Sequence, residues 1–127
     1  MIGLLTSPLK EDPAVKASLD KALQYLLTTL PTLKRGDTRT VLGVWGHAYG
    51  LSALSRAARN LPADAPLREE LKKVASLQVK ALDQMADVQG GWGYYTFETF
   101  SKRPIGEPTS FLTATVLLAY KDAEQAF

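Results

Sequence analysis

Cysteine is absent from the 127 residues, which excludes disulfides, thiolate zinc sites and a cysteine nucleophile. Histidine occurs once, at His47, so a zinc site built from the usual nitrogen and sulfur ligands cannot be assembled, and neither a metal nor a cofactor is expected. No stretch reaches the roughly 20 apolar residues a membrane helix needs. Met1-Ile2-Gly3-Leu4-Leu5 lacks the basic start and apolar run of a signal peptide, and Lys10-Glu11-Asp12 soon interrupts it. A cytoplasmic protein without a membrane span is the expectation. Charge of one sign is also scarce. The net charge is +2, and the basic residues are spread along the chain without forming a stripe that would neutralise several phosphates, so a nucleic-acid partner is not expected.

What is present suits one compact domain. The hydrophobic fraction is 46% and the charged fraction 22%, within the ordinary range for a globular chain. Asp12-Pro13 is a helix start: the carboxylate accepts from free first-turn amides, and proline needs no hydrogen bond at the first helical position. Val15, Leu19, Leu23, Leu26 and Leu30 then recur every three or four residues, giving one apolar stripe on a helix that ends before Pro31. Thr32 to Thr40 reads as a polar connection.

From Val41 to Asn60 the apolar residues surround most of the circumference, as in a helix enclosed by neighbours. Gly43, Gly46 and Gly50 each weaken its helicity by about 1 kcal/mol relative to alanine, so packing must compensate or the helix starts later than Val41. Close approach of another element is a reason for them. Leu61 to Pro66 restarts the chain, with Asp64 as the expected cap. A third helix, roughly Pro66 to Val88, places Leu67, Leu71, Val74, Leu77, Leu82 and Met85 on one side and is again amphipathic. Thr96 to Phe100 reads as loop. Thr109 or Ser110 then caps a last helix, whose residues Phe111 to Tyr120 carry no charge. The reading is all-α: two consecutive αα-hairpins, about 12–60 and about 64–126, with four main helices in one domain.

Gly43-Val44-Trp45-Gly46 and Gly90-Gly91-Trp92-Gly93 share a G-x-W-G pattern 47 residues apart, from 43 to 90, a period typical of stacked helical hairpins. Lys21-Ala22-Leu23-Gln24-Tyr25-Leu26-Leu27, and Gln84 followed after five residues by Gly90-Gly91-Trp92, complete the motif in parts. This pattern resembles the glutamine-tryptophan repeat of the terpenoid cyclase and protein prenyltransferase superfamily, also called the prenyltransferase and squalene oxidase-like repeat. The first repeat departs from it in having no glutamine before Gly43, and the second lacks the aromatic-aliphatic run.

The resemblance implies a segment of an α/α toroid, with Gln84 and Trp92 tying helices together and Gly90, Gly91 and Gly93 permitting the turn. Two hairpins cannot close such a ring, so the ends of the domain are expected to self-associate or to meet a protein partner. The superfamily's chemistry needs an aspartate-rich D-x-D-D or D-D-x-x-D motif, or a zinc set of Asp, Cys and His. Neither occurs here, so no catalytic residue is assigned.

Two readings follow. One is a non-catalytic repeat module for binding or assembly. The other is a fragment of an isoprenoid cyclase or prenyltransferase-like enzyme whose catalytic acids lie outside this chain. Candidate contacts for an apolar or isoprenoid-like ligand are Trp45, His47, Tyr49, Tyr94, Tyr95, Phe97 and Phe100, whose rings offer π faces or, in His47, a titratable nitrogen. The plainer reading makes His47 a hydrogen-bonded structural residue and folds the aromatics over the turn.

Overall fold

The structure is a computed structural model, and it describes residues 1–33, 43–87, 90–93 and 108–127. Those residues form five helices and no strand: α1 (Ile2–Leu5), α2 (Pro13–Thr29), α3 (Gly43–Arg59), α4 (Pro66–Met85) and α5 (Ser110–Glu124), with a 3₁₀ turn, Leu30–Thr32, continuing α2. The all-α expectation is met. None of these helices is long and apolar enough to cross a membrane.

Local chemistry explains the helix ends. The Asp12 carboxylate accepts from the amides of Ala14 (2.8 Å) and Val15 (3.3 Å) while Pro13 fills the first position of α2. At α4 the expected cap does not form: Ala65 is the N-cap and makes no side-chain bond. Pro66 sits at the first helical position, which places Asp64 one residue too far back to reach the free amides. The amide of Arg68 bonds the Ala65 carbonyl instead, at 2.9 Å. α4 also ends earlier than Val88, because Ala86 already has extended backbone. α3 begins at Gly43, and residues 41–42 lie outside the described ones.

α3 is the hub. It packs most extensively against α4 and α5 and also touches α1, α2 and the 3₁₀ turn, while α4 and α5 meet only sparingly. Leu51 and Leu54 of α3, Leu71 and Leu82 of α4, and Leu112 and Val116 of α5 are fully buried around it, each worth about 1.5–3 kcal/mol against its exposed form. Gly46 and Gly50 of α3 admit the 3₁₀ turn and the residue that follows it. A Cβ on Gly46 would lie 2.7 Å from Leu33 Cδ2, and one on Gly50 would lie 2.6 Å from Leu30 Cδ2.

At the far end of α3, Arg56 and Arg59 grip the nearly buried Asp122 of α5 at 2.8 and 3.0 Å. Arg68 of α4 donates to the Ala58 carbonyl in the last turn of α3 at 2.7 Å and to the Ala126 carbonyl just beyond α5, serving oxygens at the ends of two neighbouring helices at once.

Candidate functional site

The stretch from α4 into the glycine-rich turn is built as a tie between helices. The Asp87 amide bonds the Gly91 carbonyl and the Gly90 amide bonds the Asp87 carbonyl, both at 2.9 Å. This closure needs φ of +86° at Gly90 and +99° at Gly91, conformations that side-chain-bearing residues rarely adopt. Trp92 then folds inward. Its indole Nε1 donates to the Leu82 carbonyl at 2.8 Å, its amide donates to Thr113 Oγ1 at 3.0 Å, and its carbonyl accepts from the Thr109 amide at 2.9 Å.

Tyr120 of α5 meets the Trp92 ring edge-on, 5.7 Å between centroids, and its hydroxyl donates to Asp83 at 2.6 Å. Burial, and after it the Asp83 carboxylate, hold the Tyr120 phenol well above its ordinary pKa. Gly93 is buried, and Gln84 lies on the exposed side of α4.

The glutamine that enters the interior is Gln78. Its Nε2 donates to the carbonyls of Val74 (3.2 Å) and Leu30 (3.4 Å), which turns its Oε1 toward His47 Nδ1, 2.7 Å away. Oε1 can only accept, so Nδ1 donates. His47 is buried in this bridge between α3, α4 and the 3₁₀ turn. One correction to the apolar stripe of α4 follows: Leu77 is exposed, because Gln78 takes the inward place. A polar residue within the stripe Leu71, Val74, Ala75 and Leu82 was the available signal for this.

Trp45 and Tyr49 are brought together on the surface. Their rings stack at 5.5 Å with planes 14° apart, and Trp45 stacks on Phe111 of α5 at 6.0 Å and 20°. Tyr49 and Phe111 remain more than half exposed. Phe111 is the member of this row that spacing alone did not single out, since it lies 66 residues from Trp45. Tyr94, Tyr95, Phe97 and Phe100 lie outside the described residues.

Beside Tyr49 runs a groove of about 540 Å³ between α1, α2 with its 3₁₀ turn, and α3, walled by Tyr25, Leu26, Leu33, Tyr49 and Ala53 with Gly46 and Gly50 in its floor. Among the described residues no three His, Cys, Asp or Glu side chains gather as a metal site.

Comparison of the chain with models of protein families, with curated proteins and with solved structures gives no match. The functional reading therefore rests on geometry.

Proposed function

We propose that the chain is a non-catalytic helical-repeat module, similar to a two-hairpin segment of an α/α toroid, that works by assembly through the outer face of α5. One contrast carries this reading. α3 and α5 are both apolar around most of their circumference, yet 11 of the 17 residues of α3 are buried against four of the 15 of α5. Phe111, Leu117 and Leu118 stand 53, 54 and 63% exposed on α5, in a run without a charged residue. A contiguous apolar face of this kind marks a contact surface.

The paired G-x-W-G motifs, and the placement of the two broadly apolar helices α3 and α5 side by side, support the repeat character. Sedimentation equilibrium over a concentration series tests the reading. The average mass is expected to rise above 13.9 kDa with concentration. A mass that stays at that value up to about 1 mM, where even a weak contact is populated, contradicts it.

The stacked row of Trp45, Tyr49 and Phe111 favours a second reading, in which the chain is a fragment of an isoprenoid cyclase or prenyltransferase-like enzyme and the row faces an apolar or isoprenoid-like ligand. Titration with an isoprenoid diphosphate while following tryptophan fluorescence tests it. Saturable quenching that disappears in Trp45→Phe supports this second reading, and an unchanged signal removes it.

A further inference from the structure

α2 and α3 face one another without closing. They meet only sparingly, and within α2 only Leu27 is buried. Along α3 the facing row is Gly46, Gly50, Ala53, Ala57 and Asn60, and along α2 with its 3₁₀ turn it is Leu19, Leu23, Leu26 and Leu30, each at three- or four-residue spacing. The groove beside Tyr49 takes Gly46, Gly50 and Ala53 with Leu26 and Leu30, and a second groove, of about 310 Å³, takes Ala57 and Asn60 with Leu19 and Leu23. The two grooves are therefore two halves of one trough.

What parts them is the segment before α2. Met1 lines both grooves and Leu5 lines the smaller one, while α1 touches α2 and α3 alike. Both side chains pack against the core but are only partly buried, and no residue of α1 is buried. Hydrogen bonds among the described residues give residues 1–10 no partner beyond Asp12: the amides of Leu4 and Leu5 donate to the Met1 carbonyl, that of Ser7 to Leu4 and that of Lys10 to Ser7, at 3.0 to 3.3 Å, and the Thr6 hydroxyl turns back to Ile2 and Gly3. The one ion pair at the junction, Glu11 with Lys16, is well exposed and holds weakly. A segment bonded to itself and pegged by two half-buried side chains can leave without breaking a hydrogen bond of the helical body.

We propose that residues 1–10 are a strap that lifts as one unit while the body stays folded, and that lifting joins the two grooves into a single apolar trough over Ala53 and Ala57. The motion ends at Asp12, which is fixed by its cap bonds to Ala14 and Val15. Half-burial of two apolar side chains favours the seated strap by on the order of 10- to 100-fold. The strap opens independently of how copies of the chain assemble.

Native-state hydrogen exchange of the full chain tests the first half of the proposal. The amides of Leu4, Leu5, Ser7 and Lys10 are expected to share one protection factor on the order of 10 to 100, with amides in the middle of α3 protected at least about 100-fold more. Leu5→Ala removes one peg and is expected to lower all four strap amides by the same factor, about five- to tenfold, leaving α3 unchanged. That unchanged α3 also shows that the variant is folded.

Thiol labelling tests the second half, because the chain has no cysteine of its own. Ala53→Cys and Ala57→Cys each place a thiol in one groove, and Ala58→Cys places one that is fully buried and lines neither. Adding Leu5→Ala is expected to speed labelling at positions 53 and 57 by the factor seen in exchange and to leave position 58 unchanged. Unequal effects of Leu5→Ala on the four amides mean fraying, and protection equal to that of α3 means a segment integral to the body. Faster labelling at 57 without 53 means that the grooves stay separate. Each of these results overturns the proposal and leaves the assembly reading standing.

Discussion

At the scale of single residues, the turn after α4 shows how two adjacent glycines differ. Both Gly90 and Gly91 have positive φ, so alanine at either costs about 1–2 kcal/mol in backbone strain. Only Gly91 is also crowded: a Cβ there would stand 2.8 Å from Thr113 Oγ1 and 3.0 Å from Pro108 Cβ, while nothing lies within 4 Å at Gly90. Urea denaturation should find Gly91→Ala less stable than Gly90→Ala by about a further 1 kcal/mol or more.

Tyr120 gives a second expectation at this scale. Its pKa is raised in the folded chain, by burial first and by Asp83 next, so the folded state favours the neutral phenol. The associated stabilisation is complete below the unfolded phenol's pKa of about 10 and is lost as pH climbs beyond it. The stability difference between the wild-type chain and Tyr120→Phe should hold steady up to about pH 9 and shrink above pH 10. Denaturation midpoints of the two proteins across that range provide the check.

At the scale of elements, local signals in the sequence were readable and long-range ones were not. Asp12-Pro13 announces α2 because a cap and its amides lie within three residues of one another, and the structure places the helix there. Asp64 misleads because one residue of offset decides whether a side chain reaches a free amide. Gln78 sits inward where Leu77 was expected, since a periodic count weighs apolarity and cannot see that carbonyls of Leu30 and Val74 wait for a donor. The clamp of Arg56 and Arg59 on Asp122 spans more than 60 residues of sequence, so no spacing rule reveals it.

That clamp should behave as a unit. Both arginine side chains keep about a third of their surface in water while the carboxylate is nearly buried, so either arginine alone can serve it. Arg56→Ala and Arg59→Ala should each cost less than about 1 kcal/mol, and the double substitution should exceed their sum by about 1 kcal/mol or more, because it strands a buried charge. A double-mutant cycle by chemical denaturation measures the excess.

At the scale of the whole molecule, the fold class was legible because the apolar periodicities of four segments are those of helices. What covers each helix was not legible. Val41–Asn60 and Phe111–Tyr120 read alike as broadly apolar, and only the packing separates an enclosed α3 from a half-bare α5. The aromatic candidates divide in the same way: His47 turned inward to Gln78, while Trp45 and Tyr49 joined Phe111 on the surface.

The central claim is that the exposed face of α5 is where copies of the chain meet. Sedimentation equilibrium of the wild-type chain and of Leu118→Glu, run side by side at one concentration high enough to load the wild-type contact, tests it most directly. The wild-type chain should show an average mass above 13.9 kDa and the variant should remain at 13.9 kDa. Equal masses for the two, whether both monomeric or both associated, would contradict the claim.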